Sequence, residues 1–565
     1  MSLARRACAP VYALALALVI TAPLLAPGYL LLRDAVSTPR SYLSDDALGL
    51  SESAPRALPQ DFAVALATRL VDGGVVVKVL LILGLWLAGW GAARLAALVV
   101  PDAALGGQIV AVTVAIWNPF VAERLLQGHW SLLVGYGCLP WVAAAVLRMR
   151  KDRSTSAWPL VFWIAAAGLT PTGAMLSATV ALVCAAVPGG GWSRRVCAAV
   201  SLGTAVLVAL PWLSASVVAG TVTSGPAGIA AFSARAEPGL GTLGSLAALG
   251  GIWNAQSAPP LRGAVLTVVG AVVLLGIVIV GLPSVRRRPA AVALLVLAAV
   301  AVLVPTAMAT GPGISAVEAV VREFPGLGVV RDGQKWVALA MPGYAVAAAG
   351  AVLTLRRFHP GAMAAVCCVA LVAVLPGLAW GVGGAMKAVH YPPGWTSVSA
   401  RINADPRPVA VLPADAMRRF SWSGDAPVLD PLPRWLRAHV WATGDLTISG
   451  HTVAGEGDRA RGIQQLLLDG VEPKVLARAG VGWVVVESGT AGEMGLAART
   501  LGALPVDYQD GDITLYRVGG TAAGASSGHR ALLVCMHLVW LTVLAAGAVG
   551  TLVTRFRRNV FRRRR

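Results

Sequence analysis

The chain has 565 residues, of which 57% are hydrophobic and 13% are charged, and its mean hydropathy is +0.72. This composition excludes an ordinary soluble domain and indicates a polytopic membrane protein. The formal net charge of +19 is scattered over short loops and a C-terminal tail without a recognition fold, so it does not indicate a nucleic-acid partner.

Apolar runs predict about 12 membrane-spanning helices, because several reach the roughly 20 residues that a helix needs to cross the hydrocarbon core. We expect the first run to be retained, since it is long for a signal peptide and no small-residue cleavage site follows it. The predicted spans lie near residues 10–32, 75–99, 103–117, 131–147, 158–170, 173–188, 196–212, 262–283, 289–309, 336–355, 361–381 and 531–554.

The charges between these runs predict their orientation. With the N-terminus in the cytoplasm, the inner segments carry 21 basic and 2 acidic residues, whereas the outer segments carry 25 of each. The positive-inside rule requires such basic inner loops. We therefore expect a multi-pass plasma-membrane protein with both termini cytoplasmic and long outer segments near 33–74, 213–261, 310–335 and 382–529.

The first outer segment offers three candidate catalytic carboxylates. Asp34 comes directly after the predicted first helix, where a carboxylate would lie at the membrane–water boundary. Asp45 and Asp46 are adjacent acidic residues in the same segment, although neighbouring carboxylates are also common in solvated loops. Asp34 could instead be a helix-end residue that pairs with Arg33.

Polar residues interrupt the apolar sequence most clearly at residues 117–130, WNPFVAERLLQGHW. We interpret this stretch as a short loop or re-entrant helix on the outer face, which directs Glu123, Arg124, Gln127 and His129 toward a buried cavity. The alternative is an ordinary interfacial loop whose tryptophans anchor it at headgroup depth.

Two later stretches contribute further candidate binding residues. GGIWNAQ places Trp253 and Asn254, followed by Arg262, at the predicted outer interface. VVRDGQKW precedes the tenth predicted span, and its Arg331 and Lys335 are four residues apart, so on a helix they would share a face. The alternative is a charged helix entrance without a ligand.

Three parts follow from this pattern: a multi-spanning membrane domain at 1–389, an exoplasmic α/β domain at 390–525, and a final helix with a basic tail at 526–565. Because no catalytic motif appears in the α/β domain, we expect it to dock a partner or bind an acceptor. Its strands are predicted at 408–413, 481–488 and 513–518, with a helical stretch at 460–480.

No spacing of cysteine and histidine indicates a metal site, and no phosphate-binding glycine loop is present. The sequence therefore requires neither a metal nor a cofactor.

Several motifs together resemble a known family. A basic-flanked first helix, an Asp just outside it, about a dozen spans and a C-terminal exoplasmic domain resemble the GT-C superfamily of membrane glycosyltransferases. NPFVAERLLQGHWSLLVGYGCLPW, GLTPTGAML, GGIWNAQ, VVRDGQKW and the YPPGW…VLP…VVVE…LYRV series resemble actinobacterial arabinofuranosyltransferase-like and YfhO-like membrane proteins. The family's usual acidic pair does not stand beside Asp34, so the resemblance leaves Asp45 and Asp46 as alternatives to it.

The resemblance implies transfer of arabinofuranose or mannose from a polyprenyl-phosphate donor to a cell-envelope glycan or lipid. Asp34 would be the base, with Glu123 orienting Arg124 or touching the sugar. The groups that would hold the donor phosphate are Arg124, His129, Arg331 and Lys335. A non-catalytic transporter or scaffold for envelope glycan assembly is the alternative, although the sequence lacks the internal repeat typical of a transporter.

Overall fold

The computed structural model describes most of the chain in five stretches, residues 3–52, 56–219, 228–259, 263–448 and 451–563. Within these stretches, nine helices are long and apolar enough to cross a membrane, and a bent pair of helices brings the number to as many as ten. Arg262 and part of the predicted 213–261 segment lie outside the described residues.

The α-helices alternate with short connections along the membrane part and recur between strands near the C-terminus. They are α1 (Leu3–Thr21), α2 (Asp45–Leu48), α3 (Gln60–Ala67), α4 (Gly73–Val99), α5 (Ala104–Ile116), α6 (Pro119–Leu126), α7 (Trp130–Lys151), α8 (Trp158–Ala167), α9 (Pro171–Ala186), α10 (Arg194–Ala219), α11 (Gly241–Ala247), α12 (Ala264–Val285), α13 (Pro289–Met308), α14 (Gly311–Glu323), α15 (Met341–Thr354), α16 (Pro360–Ala373), α17 (Ala379–Gly383), α18 (Pro393–Ala404), α19 (Leu432–Trp435), α20 (Asp458–Leu468), α21 (Pro473–Arg478), α22 (Ala497–Gly502) and α23 (Ser527–Arg563).

The prediction of a helical polytopic membrane protein is confirmed, and three of the predicted spans differ in form. Helices α8 and α9 are apolar but shorter than a full span. Helix α16 and the segment Pro376–Gly383, a 3-10 turn followed by α17, meet at a bend of 71°. The helix is interrupted at Leu375 and Pro376.

Helices α4 and α7 form the centre of the bundle, with α1 and α5 packed against α4. Small residues allow this close approach: a Cβ added at Gly137 would lie less than 3.0 Å from the carbonyl oxygen of Gly84. The apolar part of α7 is fully buried, whereas α23 is mostly exposed on its apolar surface. This difference places α7 inside the bundle and α23 at its lipid-facing edge.

The first predicted span is too long at its C-terminal end, because the apolar run contains a strand. Helix α1 ends at Thr21, and a 3-10 turn continues only to Leu25. Pro27 and Gly28 follow, and Gly28 has φ +119°, a conformation that excludes a continuing right-handed helix. Strand β1 (Tyr29–Leu32) then pairs antiparallel with β2 (Ala35–Val36) and β3 (Ala388–Val389).

Two contacts locate these strands relative to the bundle. Lys78, in the second turn of α4, donates to the carbonyl of Ala26 at 2.7 Å, and the amide of Asp34 donates to the carbonyl of Gln127 at 3.2 Å. Strand β1, the start of α4 and the end of α6 therefore lie at one end of the bundle, which we call the site end.

A mixed sheet lies between β3 and α23, as the sequence predicts. We call residues 393–517 the sheet region. Its strands are β4 (Val409–Leu412), β5 (Met417–Arg418), β6 (Val428–Leu429), β7 (Val440–Trp441), β8 (Leu446–Ile448), β9 (His451–Val453), β10 (Trp483–Glu487), β11 (Val506–Gln509) and β12 (Ile513–Arg517). The order of the mixed sheet is β11-β12-β10-β4-β7, with β4 parallel to β10 and β7 and the other pairs antiparallel.

The three predicted strands correspond to β4, β10 and β12. The predicted helical stretch at 460–480 forms two helices, α20 and α21, separated by Gly470 at φ +68°. Strands β7 and β11 are not predicted from the sequence, because β7 is only two residues long and β11 carries an exposed, mixed-polarity sequence.

Candidate active site

Asp34 occupies the tip of a two-residue hairpin between β1 and β2. Leu32 pairs with Ala35, so Arg33 and Asp34 form the whole turn. Arg33 has φ +48°, in the left-handed region that two-residue hairpins use and that non-glycine residues rarely adopt. The sequence predicts a helix end here, so the turn is a correction: Asp34 follows a strand.

Four hydrogen bonds hold Arg33 in this strained conformation. Its guanidinium donates to the carbonyl of Leu126 at 2.6 Å and to that of Gln256 at 2.8 Å. Its amide donates to the carbonyl of Pro427 at 2.8 Å, and its carbonyl accepts from the amide of Leu429 at 2.9 Å. Helix α6, the segment before α12 and the sheet region thus all fix the hairpin that presents Asp34.

Helix α6 lies within residues 117–130, where the sequence leaves a loop and a re-entrant helix open, and hydrogen bonds define both of its ends. The Asn118 side chain accepts from the amide of Val121 at 3.0 Å, which caps the N-terminus before Pro119. At the C-terminus, the amides of Gly128 and His129 bond to carbonyls of the last turn, and Gly128 has φ +83°.

Gly128 also provides the space that the hairpin occupies. A Cβ added there would lie less than 3.0 Å from backbone atoms of Leu32, Asp34 and Ala35. Glycine is therefore required twice at this position, once for the backbone conformation and once for the approach of the Asp34 turn.

The carboxylate of Asp34 accepts two hydrogen bonds on its Oδ2 atom, from His129 Nε2 at 2.9 Å and from Gln127 Nε2 at 3.2 Å. The other ring nitrogen of His129, Nδ1, lies 3.0 Å from Nη1 of Arg124. Because a guanidinium only donates, Nδ1 must accept, and the proton of the neutral ring lies on Nε2. Among the described residues, none donates to Asp34 Oδ1, and the side chain is 35% exposed.

The charges around this pair keep Asp34 ionised and His129 neutral. Burial alone would raise the pKa of Asp34, but the hydrogen bonds from His129 and Gln127 and the charge of Lys335 outweigh it and lower the pKa below 3.8. Burial lowers the pKa of His129 below 6.5. Asp34 acts to raise this pKa, whereas the positive charges of Arg124 and Lys335 lower it further.

Behind His129, Arg124 is completely buried in a polar network. Its two Nη atoms bond to the Asp332 carboxylate at 2.9 and 3.1 Å, and Nη2 also donates to Gln334 Oε1. Lys335 Nζ lies 3.7 Å from Asp332 Oδ2, and the Lys335 side chain is 27% exposed. The charges of Arg124 and Lys335 lower the pKa of Asp332 despite its burial.

Glu123 connects the same network to the segment before α12. Its carboxylate accepts from the amides of Gly251 and Ile252, both at 3.1 Å, and from Gln334 Nε2 at 3.0 Å. Glu123 is 0% exposed, so these contacts replace water around the buried charge. Its role in the structure is to anchor residues 250–252 against α6.

The predicted binding residues beyond α6 fall into two groups. Gln127 Oε1 accepts from Asn254 Nδ2 at 2.9 Å. Asn254 thereby joins Asp34, Gln127 and His129, and we call these four residues the Asp34 cluster. Trp253 and Arg331 instead share Phe232, whose ring lies 4.7 Å from the Trp253 ring and 4.3 Å from the Arg331 guanidinium carbon. Burial lowers the pKa of Arg331 to about 10, so this residue remains cationic at neutral pH.

Asp45 and Asp46 lie in α2 and make their contacts away from Asp34. Asp45 pairs with Arg530 at 2.6 Å, at the start of α23, and Asp46 pairs with His439 at 2.9 Å in the sheet region. These contacts attach α2 to two other parts of the chain, so the structure does not bring the three candidate carboxylates together.

Asp332 and Gln334 belong to the site, although the sequence singles out only their neighbours Arg331 and Lys335. The sequence feature that could have indicated them is the presence of an acid and an amide within the charged stretch RDGQK. In the described part of the chain, no group of three or more His, Cys, Asp or Glu side chains is placed to hold a metal ion.

Asp332→Asn should lower the free energy of unfolding by about 3–5 kcal/mol, because it leaves the Arg124 charge buried without its carboxylate. Unfolding of the purified protein in detergent, followed by circular dichroism, measures the change. Asp102→Asn is the matched control: its pair with Arg288 is 64% exposed on the Asp side, so we expect a loss below about 1 kcal/mol. Equal losses in both variants would contradict the assignment.

No protein-family model matches the chain, and no curated protein matches it. Among solved structures, the chain is similar to a single-particle cryo-EM structure of the arabinofuranosyltransferase AftD from mycobacteria, in a mutant form, with a TM-score of 0.56 and 17% sequence identity. The similarity covers 93% of this chain and 42% of the AftD chain, so this chain spans less than half of that protein's length. Nearly the whole chain therefore has a fold similar to part of a mycobacterial arabinofuranosyltransferase.

Proposed function

We propose that the chain is a GT-C-type glycosyltransferase of the plasma membrane, with the site end facing outward and both termini in the cytoplasm. It transfers arabinofuranose, or as the second candidate mannose, from a polyprenyl-phosphate donor to a hydroxyl of a cell-envelope glycan or lipid. The observation that carries this proposal is the position of the Asp34 carboxylate, which is partly exposed and held on one oxygen by His129 and Gln127.

Asp34 is the general base in this proposal. Its Oδ1 atom receives the proton of the acceptor hydroxyl while the acceptor oxygen bonds to the anomeric carbon of the sugar. His129 and Gln127 hold Oδ2 and so fix the direction of Oδ1. The positive charge of Lys335 favours the carboxylate form.

The bond between the anomeric carbon and the phosphate oxygen breaks in the same step, and the polyprenyl phosphate leaves with one more negative charge. Cationic groups close to the leaving phosphate stabilise that charge. Lys335 and Arg331 suit this role, because each is a partly exposed cation. Lys335 lies 3.7 Å from Asp332, and Arg331 precedes Asp332 in the chain.

Arg124 has a different role from the one that the resemblance implies. Both of its Nη atoms are bound to protein groups and its side chain is 0% exposed, so a phosphate has no access to it. We propose that Arg124 positions His129 by donating to Nδ1, which keeps the Nε2 proton directed at Asp34. Glu123, with its three hydrogen bonds to protein groups, supports this arrangement instead of touching the sugar.

A transfer assay tests the proposed function. Membranes containing the protein are supplied with labelled polyprenyl-phospho-arabinose or polyprenyl-phospho-mannose and an envelope glycan acceptor, and labelled product is measured. We expect product from one donor and none from membranes lacking the protein. Absence of product from both donors would overturn the transferase proposal and favour a non-catalytic scaffold.

The transfer rate should be constant from about pH 7 to 8 and fall as the pH drops below 6.5. Protonation of His129 converts Nδ1 from an acceptor into a donor and places a positive charge beside Arg124. Because the pKa of His129 is lowered, we expect this protonation and the loss of rate to occur below pH 6.5. Asp34, with its pKa below 3.8, remains ionised throughout. Initial rates between pH 5 and 8 measure the profile.

His129→Gln is the control for this profile, since an amide can accept from Arg124 and donate to Asp34 but does not titrate. We expect the variant to be slower and to lack the acidic decline. A decline that is identical in the variant would show that another group titrates.

A further inference from the structure

A cavity of about 290 Å³ lies between residues 41–51 and 56–61 on one side and the sheet region on the other, and its lining does not include Asp34, Gln127 or His129. We propose that this cavity binds an uncharged, hydroxyl-rich carbohydrate chain. This part of the inference rests on the transferase proposed above. In that transferase, the carbohydrate chain is the acceptor, and the cavity binds a part of it that is remote from the reacting hydroxyl.

The charges that line the cavity indicate an uncharged ligand. Six of the seven charged lining residues are engaged in ion pairs: Asp46 with His439 at 2.9 Å, Asp61 with Arg434 at 3.3 Å, Arg56 with Glu456 at 2.5 Å and Arg418 with Asp430 at 3.8 Å. The seventh, Asp415, accepts from the amide of Met417 at 3.1 Å. A charged ligand would have to displace one of these partners, whereas neutral hydroxyl groups can add hydrogen bonds to the pairs without breaking them.

Two lining residues carry buried polar atoms without a hydrogen-bond partner among the described residues. Asp46 Oδ2 is an acceptor of this kind, and Trp441 Nε1 is a donor. Buried polar groups in folded proteins are normally paired. Because both residues line one cavity, a polar ligand there could supply partners that the described residues lack. A hydroxyl group both donates and accepts, and a carbohydrate chain supplies many of them.

Strand β6 connects this cavity to the hairpin that carries Asp34. Leu429 lines the cavity, and its backbone amide donates to the carbonyl of Arg33 at 2.9 Å. Arg33 is the residue before Asp34. The cavity is therefore one strand away from the proposed base, which is where the remote part of an acceptor chain would lie.

Binding of oligosaccharides to the full chain in nanodiscs tests this inference without any sugar donor. The probes are an α-linked arabinofuranose hexasaccharide, a mannose hexasaccharide and, as a chemically different anion, a polyglutamate peptide, each followed by saturation-transfer NMR. We expect saturable binding of one hexasaccharide and none of the peptide. Trp441→Phe, which removes the Nε1 donor and keeps the ring apolar, should weaken that binding about tenfold.

A second pair of variants guards against misfolding. Gln464→Ala changes a cavity-lining side chain on α20, whereas Gln465→Ala changes its neighbour, which lies outside the cavity and bonds to Asp469 at 2.8 Å. Both place alanine, the best helix former, in a helix. We expect weaker hexasaccharide binding in Gln464→Ala and wild-type binding in Gln465→Ala.

Asp34→Asn separates this inference from the proposed function. It should bind the hexasaccharide as the wild type does, even though it no longer transfers sugar. Binding that is lost in Asp34→Asn but retained in Trp441→Phe would overturn the inference, because the chain would then bind at the Asp34 cluster. Absence of hexasaccharide binding to the wild type would also overturn the inference, because water alone would then be the partner of Trp441 Nε1.

Discussion

Asp34→Asn will lower the rate of sugar transfer by about three orders of magnitude, within the range that a positioned general base contributes. The amide has nearly the same shape and can still accept the hydrogen bond from His129, but it cannot take up the acceptor proton. The affinity for the lipid-linked donor should change little, because Lys335 and Arg331 remain. Initial rates at saturating donor, together with the KM for the donor, measure both effects.

Asp45→Asn is the matched control, since Asp45 is the rival carboxylate from the sequence and pairs with Arg530. We expect it to retain transfer activity, with at most a small loss of stability. If Asp45→Asn were inactive and Asp34→Asn fully active, the base would have to be assigned to α2 and the Asp34 cluster would have only a structural role.

Gly128→Ala will lower transfer at least about a hundredfold, the effect expected from misplacing a catalytic group by roughly 1 Å. Residue 128 has φ +83°, and a Cβ there would lie within 3.0 Å of the backbone of Leu32, Asp34 and Ala35. These backbone atoms belong to a hairpin that is fixed from three directions, so relief of the contact must move Asp34 relative to His129.

Gly276→Ala is the control for this variant, because a Cβ on that helical glycine meets no atom within 4 Å. We expect wild-type transfer from it. Both variants should be compared for transfer and for thermal unfolding. A Gly128→Ala protein that is folded and fully active would contradict the tight contact between α6 and the Asp34 turn.

Hydropathy predicts the spans well because the burial of a helix in lipid depends on the local run of apolar residues. Its error at the end of α1 has a local cause. Tyr29–Leu32 is as apolar as the helix before it, but Pro27 and Gly28 separate the two and the run becomes a strand. Apolar character alone does not distinguish a short buried strand from a helix end.

The polar stretch at 117–130 contains much of the site, and its contacts could not be read from it. Arg124 and Asp332 are 208 residues apart in sequence, and the sequence offers several other carboxylates as partners for the arginine. Only the packing of α6 against the entrance of α15 brings this pair together. Burial then turns Arg124 from a candidate phosphate ligand into a group that positions His129.

The sequence by itself determined that this is a basic-flanked, multi-spanning helical protein with a small sheet before the last helix, because these properties follow from local composition and periodicity. It also marked Asp34, by its position just outside the first apolar run. Tertiary structure alone decided that Asp34 meets His129 and that Asp45 and Asp46 do not join it. The physical reason is that hydrogen bonds between distant segments depend on the packing of the whole bundle, and no short stretch of sequence contains that information.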